Sequence, residues 1–235
     1  MKLGKQPAKK DKRNFLLSDI IKIDRRYKLP EQYDIDKDYL KKNIPNPMYA
    51  NDRYGCCVIT EQAHHTRRFE CVEQKKVINF TDNDIIREYL RQSGGVDSGL
   101  YLLDSLNEWR QHGLKSYTIK AFAQLQLRDN ELVKQAIFNK LGLKIGLLLP
   151  ITAQKEFENG QVWSKTSGKI NSWGGHCVYL YGYNSKGPFC VTWGKVQGMT
   201  WAFYNKYCDE AYTVIDSSNT KGIKHSVLDK LLGKL

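Results

Sequence analysis

The periodicity of apolar residues changes once, near the middle of the chain, and that change limits the fold more than any single motif. From Cys57 to about Val72 neither Gly nor Pro occurs, and Val58, Ile59, Ala63, Phe69 and Val72 approximate a helix buried along one side. A second helix is expected over Asp82 to Gln92, with Thr81 as N-cap and Gly94-Gly95 as its stop. A third is expected from about Gly99 to Gln111, where Leu102, Leu103, Leu106 and Trp109 recur at helical spacing before Gly113. After a short helix at about Asn130 to Lys140 the pattern becomes that of strands: Leu143 to Leu149, Gly175 to Tyr183 and Phe189 to Trp193, with more aromatic and β-branched residues from Thr200 to Val214. Helices first and strands afterwards predict an α+β protein of two lobes. The helical lobe spans about residues 51–128 and the sheet lobe about 129–217, with a site between them.

A chain of 235 residues, 41% hydrophobic and 26% charged, can bury a substantial core. The longest apolar run, Ile145 to Ile151, is interrupted by Gly146 and Pro150 and is far short of a membrane span. Residues 1–10 are charged where a signal peptide needs an apolar stretch, so secretion by that route is not expected and a cytoplasmic location is.

The net charge of +12 is unevenly spread. Residues 1–28 carry ten Lys/Arg against three Asp, and residues 218–235 carry four Lys against Asp229, so the body between them is nearly neutral. The basic character belongs to an N-terminal arm (1–28) and a C-terminal tail (218–235) flanking a folded domain (29–217). One reading makes these solvated, mobile ends. The other makes them arms held on nucleic acid or an acidic protein surface. The arm also contains an apolar patch, Phe15-Leu16-Leu17 with Ile20-Ile21-Ile23, suited to docking as a short strand or helical turn.

Six cysteines (Cys56, Cys57, Cys71, Cys177, Cys190, Cys208) include an adjacent pair and no C-x-x-C spacing, which argues for reduced thiols and against a thiol-held metal. No cofactor is implied. His64-His65 follows Cys57 on the same helix, too far along it to share one ion with that thiol, and is expected in solvent or core. Asp97, Asp104 and Glu108 read as the solvated face of a helix or a surface for a basic substrate. Trp163, Trp173, Trp193 and Trp201 crowd the second half, and Trp193 is expected beside His176.

Two positions carry the chemistry. Gly55-Cys56-Cys57-Val58 places a thiol at the first turn of a helix, where unpaired backbone N–H groups favour thiolate. Alone, Cys57 reads as a buried structural cysteine. Across 119 residues, Gly174-Gly175-His176 puts an imidazole at the start of an apolar strand, where alone it reads as a satisfied core histidine. Together they form the two halves of a Cys/His pair in which imidazole takes the thiol proton and thiolate attacks an acyl carbon.

With those residues in view, the chain resembles the papain-like cysteine peptidases over roughly residues 29 to 216. Leu29-Pro30-Glu31-Gln32-Tyr33-Asp34 looks like the start of the mature enzyme, and Asn51 to Val58 like the family's oxyanion loop and nucleophile. Gly174-Gly175-His176 with Gly182-Tyr183 looks like its histidine strand, and Cys190-Val191-Thr192-Trp193-Gly194 like Asn-Ser-Trp-Gly. The resemblance implies a two-lobe α+β fold with an antiparallel, barrel-like C-terminal lobe. It also implies a thiol hydrolase of peptide or isopeptide-type bonds, with Cys57 as nucleophile, His176 as general base and acid, and Asn51 with the Cys57 N–H as oxyanion hole.

The departures are specific. Val191 falls where the family's histidine-orienting asparagine belongs, leaving Thr192 or a backbone carbonyl to hold the imidazole. Asn51 is one methylene shorter than the usual glutamine. Tyr54 and Ser93 stand where extracellular members have disulfide cysteines, and the 28 residues before the mature-like segment are too few for the family's long propeptide. These changes keep open a second function, a catalytically silent papain-like module that binds a partner through its basic ends. Lys2 to Ala8, followed by Asn51-Asp52-x-x-Gly55, is also similar to a set of bacterial and phage proteins of this outline, which implies a phage or prophage origin and a place in or on a virion.

Overall fold

The long helix that begins at Cys57 is the axis of the molecule. A computed structural model describes residues 1–20 and 28–216; the C-terminal tail (218–235) lies outside the described residues, as do residues 21–27 of the arm. In chain order the elements are α1 (Leu17–Ile20), β1 (Tyr33–Asp34), a π-helical turn (Ile35–Leu40), α2 (Cys57–Glu73), α3 (Asp82–Gln92), α4 (Leu102–Gln111), β2 (Ala121–Gln124), α5 (Asn130–Phe138), β3 (Leu143–Leu149), α6 (Ile151–Glu158), β4 (Gly174–Tyr183), β5 (Pro188–Thr192), β6 (Lys195–Gly198), α7 (Trp201–Tyr207) and β7 (Cys208–Ile215).

The helices start where side chains satisfy their free N–H groups. Thr81 and Asp84 form a reciprocal capping box at α3, Asp129 caps α5 and Thr200 caps α7. Cys56, at the N-cap of α2, makes no side-chain cap bond, so the first turn of that helix keeps its positive end. α2 is buried from Cys57 to Cys71 because it packs on α3 and α4 on one side and on β4 on the other.

The strands form one antiparallel sheet in the order β2-β7-β3-β4-β5-β6, with β1 added on β4. The sheet lobe is therefore open, where a barrel-like closure was expected: β2 and β6 are its two ends and do not pair with each other. β3 lies in the middle, and its Leu143, Ile145, Leu147 and Leu149 are fully buried, each contributing about 1.5–3 kcal/mol of burial. One core cluster fills the sheet lobe, and a second joins α2, α3 and α4 to Cys177, Tyr212 and Val214 of the sheet.

A buried ion pair fastens the two clusters: Lys144 Nζ of β3 lies 2.6 Å from Glu61 Oε2 of α2 and donates to Val58 O at 2.7 Å. His64 and His65 are both in the core, and His65 bonds Glu61 and the Leu141 carbonyl.

The N-terminal arm departs from the solvated reading over the part described. Leu17 and Ile20 are buried in the sheet-lobe core, Leu16 bridges to Gln124, and residues 2–6 lie between the lobes. Lys5 and Lys9 are ion-paired to the body, at Asp209 with Glu210 and at Asp104, while Arg13 pairs with Asp11 of the arm itself.

Candidate functional site

The site is assembled where the first turn of α2 meets β4 and the end of β5. Cys57 is the first residue of α2 and only 1% exposed. Its neighbour Cys56 is turned elsewhere, its Sγ 3.5 Å from Tyr49 O and 3.6 Å from Thr60 Oγ1. All six cysteines are free and buried. Burial pushes the Cys57 thiol up to about 11, against the pull of the Cys177 and Gly4 backbone amides that favour the thiolate.

His176 enters on β4, opposite Leu147 of β3. Its Nε2 lies 2.6 Å from Thr192 Oγ1, so Thr192 is the side chain that holds the ring. Val191 cannot do so, because it is packed in the sheet-lobe core. After Thr192 the chain turns: Trp193 adopts a left-handed backbone conformation (φ 43°), and its indole lies flat on His176 with ring centroids 4.0 Å apart and planes 11° from parallel. Burial pushes the imidazole down to about 3. The opposite nitrogen, Nδ1, is buried without a hydrogen-bond partner, and no hydrogen bond joins it to Cys57. Nδ1 is free to take a proton only when Nε2–H donates to Thr192. A hydroxyl accepts that bond as a carboxamide oxygen would, but also permits the reverse.

Asn51 follows two residues with positive φ, Tyr49 and Ala50, and is itself buried. Its Nδ2 donates to Tyr54 O at 3.0 Å and to Lys2 O at 3.4 Å. The indole N–H of Trp193 reaches the same Lys2 carbonyl at 3.2 Å. The space between Asn51 and Trp193 is thus filled by the protein's own second residue.

The rest of that segment continues through the cleft. Lys2 N–H donates to Asn51 O, Gly4 and Lys5 N–H to Gly175 O, Leu100 N–H to Gly4 O, and Gln6 N–H to Leu100 O. Gly4 is required here, since a Cβ on it would lie 1.8 Å from the Gly55 carbonyl oxygen. The segment presents the Gly4 amide to the Cys57 sulfur.

Solved structures similar to this chain share its architecture. Xylellain, a cysteine protease from Xylella fastidiosa, matches with a TM-score of 0.70 at 14% identity, over 91% of this chain and 96% of that one. A procathepsin B from Trypanosoma congolense matches with a TM-score of 0.60 at 12% identity (92% and 87% covered), and procathepsin L 3 of the Tenebrio molitor larval midgut with 0.61 at 9% (86% and 76%). This chain has a divergent papain-like fold. No protein-family model and no curated protein matches it by sequence, so the papain-like likeness is one of architecture.

Within the papain-like frame, the structure brings Thr192 and Trp193 to His176, and brings Asn51 and Cys57 to one stretch of residues 2–4. It does not place Asp97 on a helix. Asp97 precedes α4, and its Oδ1 accepts from Gly55 N–H at 2.8 Å and from Tyr89 Oη at 2.6 Å, fixing the loop before Cys57. Asp104 and Glu108 do lie on α4 and pair with Lys9 and Arg91. Sequence reasoning missed Asp97, Gly4 and Lys5 as parts of the site. The signals present were the glycines Gly4, Gly55 and Gly99, which meet across the cleft, and the acidic pair Asp209-Glu210 inside an otherwise apolar strand. Among the described residues no group of three or more His, Cys, Asp or Glu gathers to hold a metal, and no helix is long and apolar enough to cross a membrane.

Proposed function

We propose that this protein is a thiol hydrolase of peptide bonds, with Cys57 as nucleophile, His176 as base and acid, Asn51 and the Cys57 N–H as oxyanion donors, and Thr192 as the positioning residue for His176. The observation that carries this reading is the His176–Thr192 bond beneath Trp193, on a strand that faces the first turn of α2, in the fold of cysteine proteases. In the closed state described here the reaction is not set up. The thiol is protonated, the imidazole is neutral and dry, and residues 2–5 occupy the cleft in a direction that shows sulfur an amide. Leu100 and Lys5 pair in parallel. Two of the structures named above are proforms by description, and we read residues 1–6 as a built-in plug whose withdrawal admits water and substrate. Rehydration then restores the ordinary basicity of the imidazole, and proton transfer from Cys57 becomes feasible.

The test uses the full chain with Gly4→Ala, which forces the plug off Gly55, incubated with a peptide mixture read by mass spectrometry. Cleavage that vanishes with Cys57→Ala and His176→Ala, and falls about 10–100-fold with Thr192→Val, supports the hydrolase. Rapid iodoacetamide labelling of Cys57 in the opened variant, with no peptide cleaved, supports instead the silent binding module.

A further inference from the structure

The side chain of Lys5 sits in a pocket of its own beside the candidate nucleophile. Its ammonium group is fully buried, 2.8 Å from Asp209 Oδ2 and 2.9 Å from Glu210 Oε1 of β7, and it also donates to the Gln6 carbonyl at 3.0 Å. The aliphatic stem lies on Gly146 of β3, where the β3–β7 register shifts; a Cβ on Gly146 would stand 2.1 Å from Lys5 Cε. The missing side chain of Gly146 thus leaves room for the methylene stem of Lys5, with the two carboxylates at its end. Glu210 is 2% exposed on its side chain, and Asp209 Oδ1 is buried with no hydrogen-bond donor, so the pair holds more acceptor capacity than one ammonium group uses.

A buried Glu210 with the partly buried Asp209 beside it is costly unless a cation is supplied. Lys5 supplies it from a segment held mainly by backbone bonds. Those bonds run to Gly175 and Leu100, are independent of side-chain identity, and lie next to Cys57.

We propose that the Gly146–Asp209–Glu210 pocket is the specificity pocket of the cleft and takes the lysine side chain of a peptide substrate, Lys5 occupying it in the closed state as a stand-in. This rests on the hydrolase reading above only for what happens to the peptide after it binds. The backbone of a bound peptide takes the edges of Gly175 and Leu100 that residues 4–6 use now. The space over Gly146 excludes branched and aromatic side chains, and the two carboxylates exclude acidic ones.

The test uses the full chain with Lys5→Ala and reads iodoacetamide labelling of Cys57 by peptide mass spectrometry. Emptying the pocket loosens the segment, so labelling is expected to rise at least about tenfold, while Lys5→Arg stays protected and Lys5→Met does not. Acetyl-Leu-Gly-Lys-Gln amide added in trans to Lys5→Ala is expected to restore protection at concentrations about tenfold below the Ala and Glu versions of the peptide. That preference should be lost with Glu210→Gln or Gly146→Ala added. Protection by Met as good as by Lys, or no difference among the three peptides, overturns the pocket. Lysine-selective protection without cleavage of any peptide keeps the pocket and removes the hydrolase; cleavage indifferent to lysine does the reverse.

Discussion

The indole of Trp193 covers the imidazole of His176 face to face, and the same indole donates its N–H to the Lys2 carbonyl. One side chain therefore covers the imidazole and holds the second residue of the chain. Trp193 also packs on Phe157, Trp163 and Trp173, so Trp193→Ala is expected to cost about 3–5 kcal/mol. In the variant, water reaches His176, and NMR titration of the ring should show its pKa rising from about 3 toward the ordinary ~6.5. Trp193→Phe, which keeps a ring but loses the N–H to Lys2, should leave that pKa low and loosen only residue 2.

Cys57 should be nearly inert to iodoacetamide at neutral pH in the unmodified chain, because its thiol is buried and held near 11. Gly4→Ala removes the fit on Gly55. Labelling at Cys57, followed by peptide mass spectrometry, should quicken at least about tenfold, with Cys71 and Cys190 unchanged as internal controls. Equal rates at Cys57 in both proteins would mean that the segment does not cover the thiol in solution.

Stability should rise with pH between about 3 and the ordinary histidine value of ~6.5. Burial lowers the folded pKa of His176, and does the same to His64, so in this window the unfolded chain binds more protons than the folded one. The stabilisation is complete above the unfolded pKa and is lost as pH falls toward the folded one. Asp36 and Glu210, whose carboxyls burial raises, act in the opposite sense at the acid end. The decisive measurement is therefore the difference between wild type and His176→Gln in urea melts at pH 4.5 and 7.5. Wild type should lose on the order of 2–4 kcal/mol more than the variant on acidification.

Among the described residues, Asp97 accepts from both Gly55 N–H and Tyr89 Oη. Asp97→Ala should cost about 1–3 kcal/mol and speed amide exchange at Gly55 and Cys56. Tyr89→Phe, which leaves Asp97 on Gly55, should alter exchange at Gly99, whose N–H bonds Tyr89 Oη at 2.8 Å, more than at Gly55.

Removing one partner of the Lys144–Glu61 pair strands a buried charge, so Glu61→Gln should destabilise by about 3–5 kcal/mol in a thermal or urea melt. Replacing both, Lys144→Met with Glu61→Leu, should recover most of that loss, although His65 loses its Glu61 bond. A double variant as unstable as the single one would assign the cost to His65.

Much of the fold is legible in order along the chain, because helix caps and apolar periods are local. Thr81 with Asp84 starts α3 at Asp82, and the run Leu143 to Leu149 is β3 from end to end. The positions of Cys57 and His176 are legible for the same reason, since each sits at an element start marked by glycine and a change of period. The short α6 and α7 are not, as Ile151–Glu158 and Trp201–Tyr207 are brief enough for packing on the sheet to decide their form. Nor is the open edge of the sheet, which depends on whether distant strands meet.

The sequence by itself determined which residues are chemically able: a thiol at a helix start, an imidazole on a strand, a hydroxyl where a carboxamide was expected. Only the tertiary structure decided what state they are in. Protonation of Cys57 and His176 is set by burial, and that burial is completed by Lys2 to Lys5 arriving from the far end of the chain. The Lys5 ammonium group among them ends on Asp209, 204 residues away. Local pattern fixes elements, whereas desolvation is a property of everything packed around a group, and no window along the sequence contains it.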